Sequence, residues 1–371
     1  MLLGALLAVA SFHLPQQSFL IDEVVPIAVS GLAPGDRVTI HARDGGWASS
    51  ETFTADANGA VDVADPMRLF WAATRDRSST ANPPAAWELV AEVNGAVVAR
   101  TTIERRAVAE NVRITPVREK GLVGVFYEPA GEGRHPGVLV LSGSGGGIPP
   151  ASSYAGGLAS RGYAVFALAY FGAEGLPRSL ENIPLEYFGT ALDWMLAQPS
   201  VDAAHIGVLG ASRGAELALL LGSMIPQIRA VVAYMPSNVV WGGCCDRRDA
   251  PSWTIGRRPL ALRAEIPVEK IHGGVLLVSG RDDGVWRSTD MGNAVMERLR
   301  RHQFAYPSKH LVYEGAGHAI GRPYTPTTDL DNAHHPLTGR LMHLGGTPEG
   351  TAHAREDAWR QVLTFLAEQL R

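Results

Sequence analysis

At 371 residues, with 46% apolar and 19% charged side chains, the chain has a globular composition but is too long for one ordinary core, so two domains are expected. A net charge of −4 argues against an electrostatic nucleic-acid binder. The densest basic stretch, Arg247-Arg248 with Arg257-Arg258, reads as a solvated loop, and the only cysteines, Cys244 and Cys245, are neighbours; adjacent cysteines rarely bridge each other, so neither a disulfide framework nor a metal-type spacing is expected.

Leu2 to Phe12 is apolar and Ala8-Val9-Ala10 resembles a cleavage site, but no Lys or Arg precedes it, as one normally does in a secretory signal. It is also too short to span a bilayer. Residues 1–18 are therefore read as an apolar arm or a weak signal peptide. Residues 19–106 read as β. Short runs (Val24 to Val29, Asp36 to Ala42, Glu51 to Thr54, Ala60 to Val63, Trp87 to Val93, Ala96 to Ile103) alternate with turn signals such as Asp56-Ala57-Asn58-Gly59 and Asn94-Gly95. Regular short strands with this turn chemistry predict an Ig-like sandwich.

Residues 107–115 read as a linker, and from 116 to 371 the pattern changes. Apolar strands at Gly137 to Leu141, Ala164 to Leu168, Ile206 to Leu209, Ala230 to Tyr234, Gly274 to Ser279 and His310 to Tyr313 alternate with helix-like segments. Those segments are Ala151 to Arg161, Leu185 to Ala197, Ala215 to Met224, Met291 to Arg301 and Arg355 to Leu370. Alternating strand and helix means a mostly parallel sheet covered on both faces.

Between the strand ending at Leu209 and the helix starting at Ala215 lies Gly210-Ala211-Ser212-Arg213-Gly214. Gly-x-Ser-x-Gly alone is a weak signal. Set between strand and helix, it predicts the sharp turn of an α/β-hydrolase-type domain, with Ser212 as nucleophile. A serine needs a base and a group to orient that base, in the chain order Ser, acid, His. The strand Gly274 to Ser279 runs into Asp282-Asp283, and His310 to Tyr313 runs into Gly315-Ala316-Gly317-His318. His318 is the candidate base. Of the two aspartates Asp283 is preferred as acid, leaving Asp282 to bond loop amides. His334 and His335 read as surface or packing residues. The backbone N–H groups of Arg213 and of Gly145 or Gly146, in Ser142-Gly143-Ser144-Gly145-Gly146-Gly147, are the candidate oxyanion donors, with Gly145 preferred. No cofactor and no metal is implied.

Other stretches are uncommon and stand in a distinctive order: Trp47-Ala48-Ser49-Ser50, Met67 to Trp71, Ala169-Tyr170-Phe171-Gly172, Ser212-Arg213-Gly214-Ala215-Glu216, Trp286-Arg287-Ser288 and Asp357-Ala358-Trp359. Through them the chain resembles the acyl-CoA thioesterase and bile acid-CoA:amino acid N-acyltransferase family over nearly its whole length. The resemblance implies a β-sandwich followed by an α/β-hydrolase domain, with Ser212, Asp283 and His318 at the family's catalytic positions. It also implies that a serine member mainly hydrolyses acyl-CoA thioesters, where cysteine members transfer the acyl group. The alternatives are a carboxylesterase or lactone hydrolase using the same residues, and an N-acyltransferase. The expected partner is a small acyl-CoA or ester substrate, with no nucleic acid and no stable membrane insertion. The expected compartment is the cytoplasm, or outside the cell if residues 1–18 direct export. Trp241 to Glu265 matches the family poorly and is expected to be a lid or acyl-pocket loop.

Overall fold

In the computed structural model, which describes residues 9–76, 85–244 and 247–371, the chain divides into two units. One holds the residues up to Ala107 together with Pro323–Asp329; the other holds Val108–Arg322 and Leu330–Arg371.

The first unit is built of antiparallel sheets. Ala96–Arg106, Ala86–Val93, Arg37–Asp44 and Trp47–Thr54 are hydrogen-bonded side by side in that order, and Ser18–Leu20 joins parallel to Ala96–Arg106. Ser11–His13, inside the stretch read as an arm, pairs with Ala28–Ser30 in a second, smaller sheet. The Asn94-Gly95 signal forms the hairpin turn expected of it. Both residues have positive φ, 49° and 77°, which matches the twist of the flanking strands. Trp47–Thr54 alternates exposed positions with half-buried ones, beginning at the buried Trp47, as a strand with one wet face does. Val38, Ile40, Phe70, Trp87 and Leu89 fill the interior, with Phe70 edge-on to Trp87 at 5.3 Å. Pro323–Asp329 is fastened here: Thr327 donates from its amide to Trp71 O (2.9 Å) and Arg105 donates to Tyr324 O (2.7 Å).

The second unit is organised by one eight-stranded sheet. In chain order its strands are β1 (Arg113–Val117), β2 (Val123–Glu128), β3 (His135–Leu141), β4 (Ala164–Ala169), β5 (Val201–Ala211), β6 (Ile228–Tyr234), β7 (Gly274–Gly280) and β8 (Ser308–Tyr313). They lie side by side as β1-β2-β4-β3-β5-β6-β7-β8. β2 runs antiparallel to both neighbours, and every other pair is parallel. β1 begins inside the stretch read as a linker. β4 and β7 are buried at every position, because helices cover both faces and no strand position meets water. On one face lie α2 (Glu186–Leu196), α3 (Arg213–Met224) and α4 (Ser288–Arg301). On the other lie α1 (Pro149–Ala159) and α5 (Pro348–Leu370). This is the α/β-hydrolase architecture. None of the helices among the described residues is long and apolar enough to cross a membrane.

The strand order places the site. β3 and β5 are adjacent in the sheet, with Leu141 opposite Gly210, although the chain visits β4 between them. Connections leave this point in opposite directions, the kind of switch point at whose carboxyl ends open α/β sheets gather their sites.

At the far edge, His310 of β8 accepts from Ser279 Oγ at Nε2 (2.8 Å) and donates from Nδ1 to Asn293 Oδ1 of α4 (3.1 Å). Burial, helped by nearby Arg281, holds its imidazole down at about 4. Between the unfolded value near 6.5 and about 4 the unfolded chain binds more protons, so stability is full above that window and falls as pH drops through it. Urea midpoints at pH 7.5 and 5.0 should therefore shift more for the wild type than for His310→Gln. Equal shifts would contradict a neutral buried His310.

Candidate active site

The turn between β5 and α3 holds Ser212 at φ 57°, ψ −117°, a backbone conformation that a residue with a side chain rarely adopts. Two contacts impose it. A Cβ on Gly210 would lie 2.0 Å from Gly214 O, and one on Gly214 would lie 2.5 Å from Ser142 O. Only glycine fits at either place. The Ser212 amide donates to Tyr234 O of β6 (2.8 Å), which anchors the turn on the adjacent strand.

His318, 7% exposed, stands in the loop after β8. Its Nε2 is 2.9 Å from Ser212 Oγ. On the other side Nδ1 is 2.8 Å from Asp283 Oδ2 and 3.0 Å from Oδ1. Asp283 follows β7 and accepts three further bonds, from Ser288 Oγ (2.6 Å), the Val285 amide (2.9 Å) and the Trp286 amide (3.2 Å). Ser288 is the fully buried first residue of α4, so the carboxylate also faces a helix N-terminus. A carboxylate at Nδ1 fixes the proton there and leaves the Nε2 lone pair facing the serine hydroxyl. The three side chains thus form one hydrogen-bonded line from Asp283 through His318 to Ser212.

Asp282, by contrast, is exposed. The loop amides of Val285 and Trp286 go to Asp283 itself, so the expectation that Asp282 would take them is corrected. The turn begins one residue later, and the second aspartate both caps it and meets the imidazole. Sequence reading assigned no role to Trp286, whose ring stands edge-on to His318 at 5.9 Å and packs on Trp241 at 5.8 Å.

The glycine loop after β3 lies against the nucleophile, since a Cβ on Gly143 would be 3.3 Å from Ser212 Cβ. The Gly146 amide is taken up by Gly143 O (3.2 Å) and the Gly147 amide by Phe171 O (2.8 Å). Among the described residues the Gly145 amide has no such backbone partner. Arg213 is the first residue of α3, where a helical N–H has no carbonyl one turn back. Both amides are therefore candidate donors to a developing oxyanion.

The Arg213 side chain turns away into a buried network. It meets Glu216 at 3.3 Å and donates to Gly242 O (2.9 Å), Trp241 O (3.2 Å) and Ser252 Oγ (2.6 Å). Glu216, fully buried, accepts from Trp253 Nε1 (2.7 Å) and the Trp241 amide (3.2 Å). Burial pushes its carboxyl up to about 7 against the pull of Arg213. The network fastens Trp241 to Trp253 onto the nucleophile helix, so this part of the expected lid is anchored rather than detached. Within it, Cys244 is disulfide-bonded; the expectation for the adjacent pair also involves Cys245, which lies outside the described residues. Among the described residues no group of three His, Cys, Asp or Glu side chains is placed to hold a metal ion.

Two family models match the chain: the acyl-CoA thioester hydrolase/BAAT N-terminal region over residues 22–119, and the BAAT/acyl-CoA thioester hydrolase C-terminal region over 183–257 and 248–371. Acyl-coenzyme A thioesterase 1 of Mus musculus is 32% identical, over 94% of each chain. Acyl-coenzyme A thioesterase 6 of Mus musculus is 33% identical over the same shares, and the peroxisomal succinyl-coenzyme A thioesterase of Mus musculus is 32% identical. Among solved structures, a puromycin-hydrolyzing peptidase of Mycobacterium tuberculosis superposes with a TM-score of 0.52 at 15% identity, covering 97% of this chain and 53% of that one. At that identity the likeness concerns the fold alone.

The steric demand at the turn is testable. Gly214→Ala should lower stability by about 1–3 kcal/mol through overlap with Ser142 O and reduce fluorophosphonate labelling of Ser212. Thermal unfolding and labelling unchanged from wild type would show that the turn accommodates a Cβ.

Proposed function

The chain belongs to the acyl-CoA thioester hydrolase/BAAT family, and from that premise we propose that it cleaves acyl-CoA thioesters to free fatty acid and coenzyme A through an acyl-serine, with Ser212, His318 and Asp283 as the catalytic residues. The observation that carries the reading is the unbroken line Ser212 Oγ–His318 Nε2 (2.9 Å) and His318 Nδ1–Asp283 Oδ2 (2.8 Å) at the strained turn.

Ser212 Oγ attacks the thioester carbonyl as its proton passes to His318 Nε2. The imidazolium is stabilised by Asp283, which stays ionised and holds the ring in place. Negative charge developing on the carbonyl oxygen is met by the Arg213 and Gly145 amides, a contribution typically of about 10²–10³ in rate per donor. Collapse of the tetrahedral adduct breaks the carbon–sulfur bond, and His318 returns its proton to the departing coenzyme A sulfur. Water then gives a proton to His318 and attacks the acyl-serine. The fatty acid leaves and Oγ recovers its proton from Nε2. An oxygen ester on serine yields to such activated water, which favours hydrolysis over transfer to an amine.

A coenzyme A ester substrate is the reason for assigning the enzyme to the cytoplasm. The rival substrate class, simple carboxylic esters or lactones, would use the same residues, so rates decide between them. Purified protein should hydrolyse palmitoyl-CoA or a short acyl-CoA with kcat/KM well above that for simple esters. Esters preferred by orders of magnitude would replace the thioester reading, and acyl-glycine or acyl-taurine as main product would replace hydrolysis by transfer. Ser212→Ala should lower kcat by about 10⁶ with the fold intact. Asp283→Asn should cost about 10⁴, whereas Asp282→Asn should stay within about twofold. The reverse order of the two aspartates would reassign the acid.

A further inference from the structure

Residues 333–346 carry no helix or strand, only isolated pairings such as His334 with Leu341, yet they touch the base loop, the acid loop and the glycine loop. At one end Leu344 O accepts both the His318 amide (2.7 Å) and the Gly284 amide (3.1 Å), so one carbonyl joins the base loop to the acid loop. The next two residues continue the join, Gly345 bridging to Asp283 and Gly346 to Ala316. At the other end the chain folds back on itself, Met342 donating to Ala333 O and His335 to Arg340 O, both at 2.8 Å. This brings His335 and Pro336 against the glycine loop. A Cβ on Gly145 would meet Pro336 Cγ at 3.1 Å.

His335 makes the polar link. It is 7% exposed, whereas its neighbour His334 is exposed. Its Nδ1 accepts from the Leu337 amide (3.3 Å) and the Thr338 amide (3.4 Å). The ring proton is therefore on Nε2, which donates to Ser144 Oγ at 3.1 Å. Ser144 immediately precedes Gly145.

We propose that His335 is a positioning residue for the oxyanion donor: through the Ser144 hydroxyl it holds the Gly145 amide in register with Ser212, in a strap that also ties His318 to Asp283. This rests on the oxyanion role given to Gly145 above. Without the link the loop would retain its glycines and its freedom, and a donor displaced by a fraction of an ångström stabilises the oxyanion less while leaving ground-state binding alone. The signature is a loss in kcat with KM unchanged.

The test is a double-mutant cycle on the full chain with His335→Ala, Ser144→Ala and the pair, alongside His335→Gln, whose amide can still donate to Ser144. Rates are taken per fluorophosphonate-labelled Ser212, so unfolded protein does not count. They are measured on an acyl-CoA and on p-nitrophenyl acetate. Each single variant should lose about tenfold to a hundredfold in kcat with KM within about twofold. The double variant should be no worse than the weaker single, and His335→Gln should recover most of the loss. Losses that multiply, or that fall on KM, would overturn the proposal. If His335→Ala does not fold, Ser144→Ala alone decides, and an unchanged kcat would overturn it. Should the wild type turn over only p-nitrophenyl acetate, the thioester reading fails while the cycle on that ester still judges His335. Turnover of neither substrate would sink both.

Discussion

The site depends on the close approach of two backbone segments at the end of β5. With Gly210 and Gly214 lacking Cβ atoms, the strand turns into α3 within a few residues, and Ser212 is held at φ 57°. Such a conformation costs on the order of 1–3 kcal/mol. The surrounding structure over-determines it: the Ser212 amide is bound to β6, and α3 is buried along nearly its whole length. In exchange the hydroxyl is fixed outside the sheet, above the first unsatisfied amides of the helix. Base, acid and oxyanion loop are all arranged around that point.

Each partner follows the carboxyl end of a strand, buried in β7 and most of β3 and partly exposed in the edge strand β8. β3 delivers the glycine loop, β7 delivers Asp283 and β8 delivers His318, while sheet order sets which loops are neighbours. Loops alone would place these groups loosely. Three links tighten them: Ser288 and two amides on Asp283, the Arg213–Glu216 pair that binds Trp241 to Trp253 to the nucleophile helix, and Leu344 O shared by His318 and Gly284. The Arg213–Glu216 pair is buried, where such pairs add little net stability but break at high cost if one member is lost. Its value here is geometric, because it holds in place Arg213, the residue that follows Ser212.

The meeting of Ser212, His318 and Asp283 was foreshadowed by a local pattern, since each lies just past an apolar run with turn chemistry. What was missed is non-local. β1 is exposed at four of its five positions and has no apolar period, so its first three residues fall in the expected linker. Asp282 and Asp283 look alike in sequence, and only the start of the turn separates them. His335 was read as surface or packing because nothing in its neighbours announces Ser144, 191 residues away. Pro323–Asp329 bonds with the first unit although it lies far along the chain. Trp286 was visible as part of a motif, but its role beside His318 comes only from the folded acid loop.

The most direct test of the account is titration with a fluorophosphonate. Acyl-CoA hydrolysis should fall in proportion to the fraction of Ser212 modified and vanish at one equivalent, with peptide mapping placing the adduct on that residue. Hydrolysis that persists when Ser212 is fully modified, or inactivation with the adduct elsewhere, would contradict it.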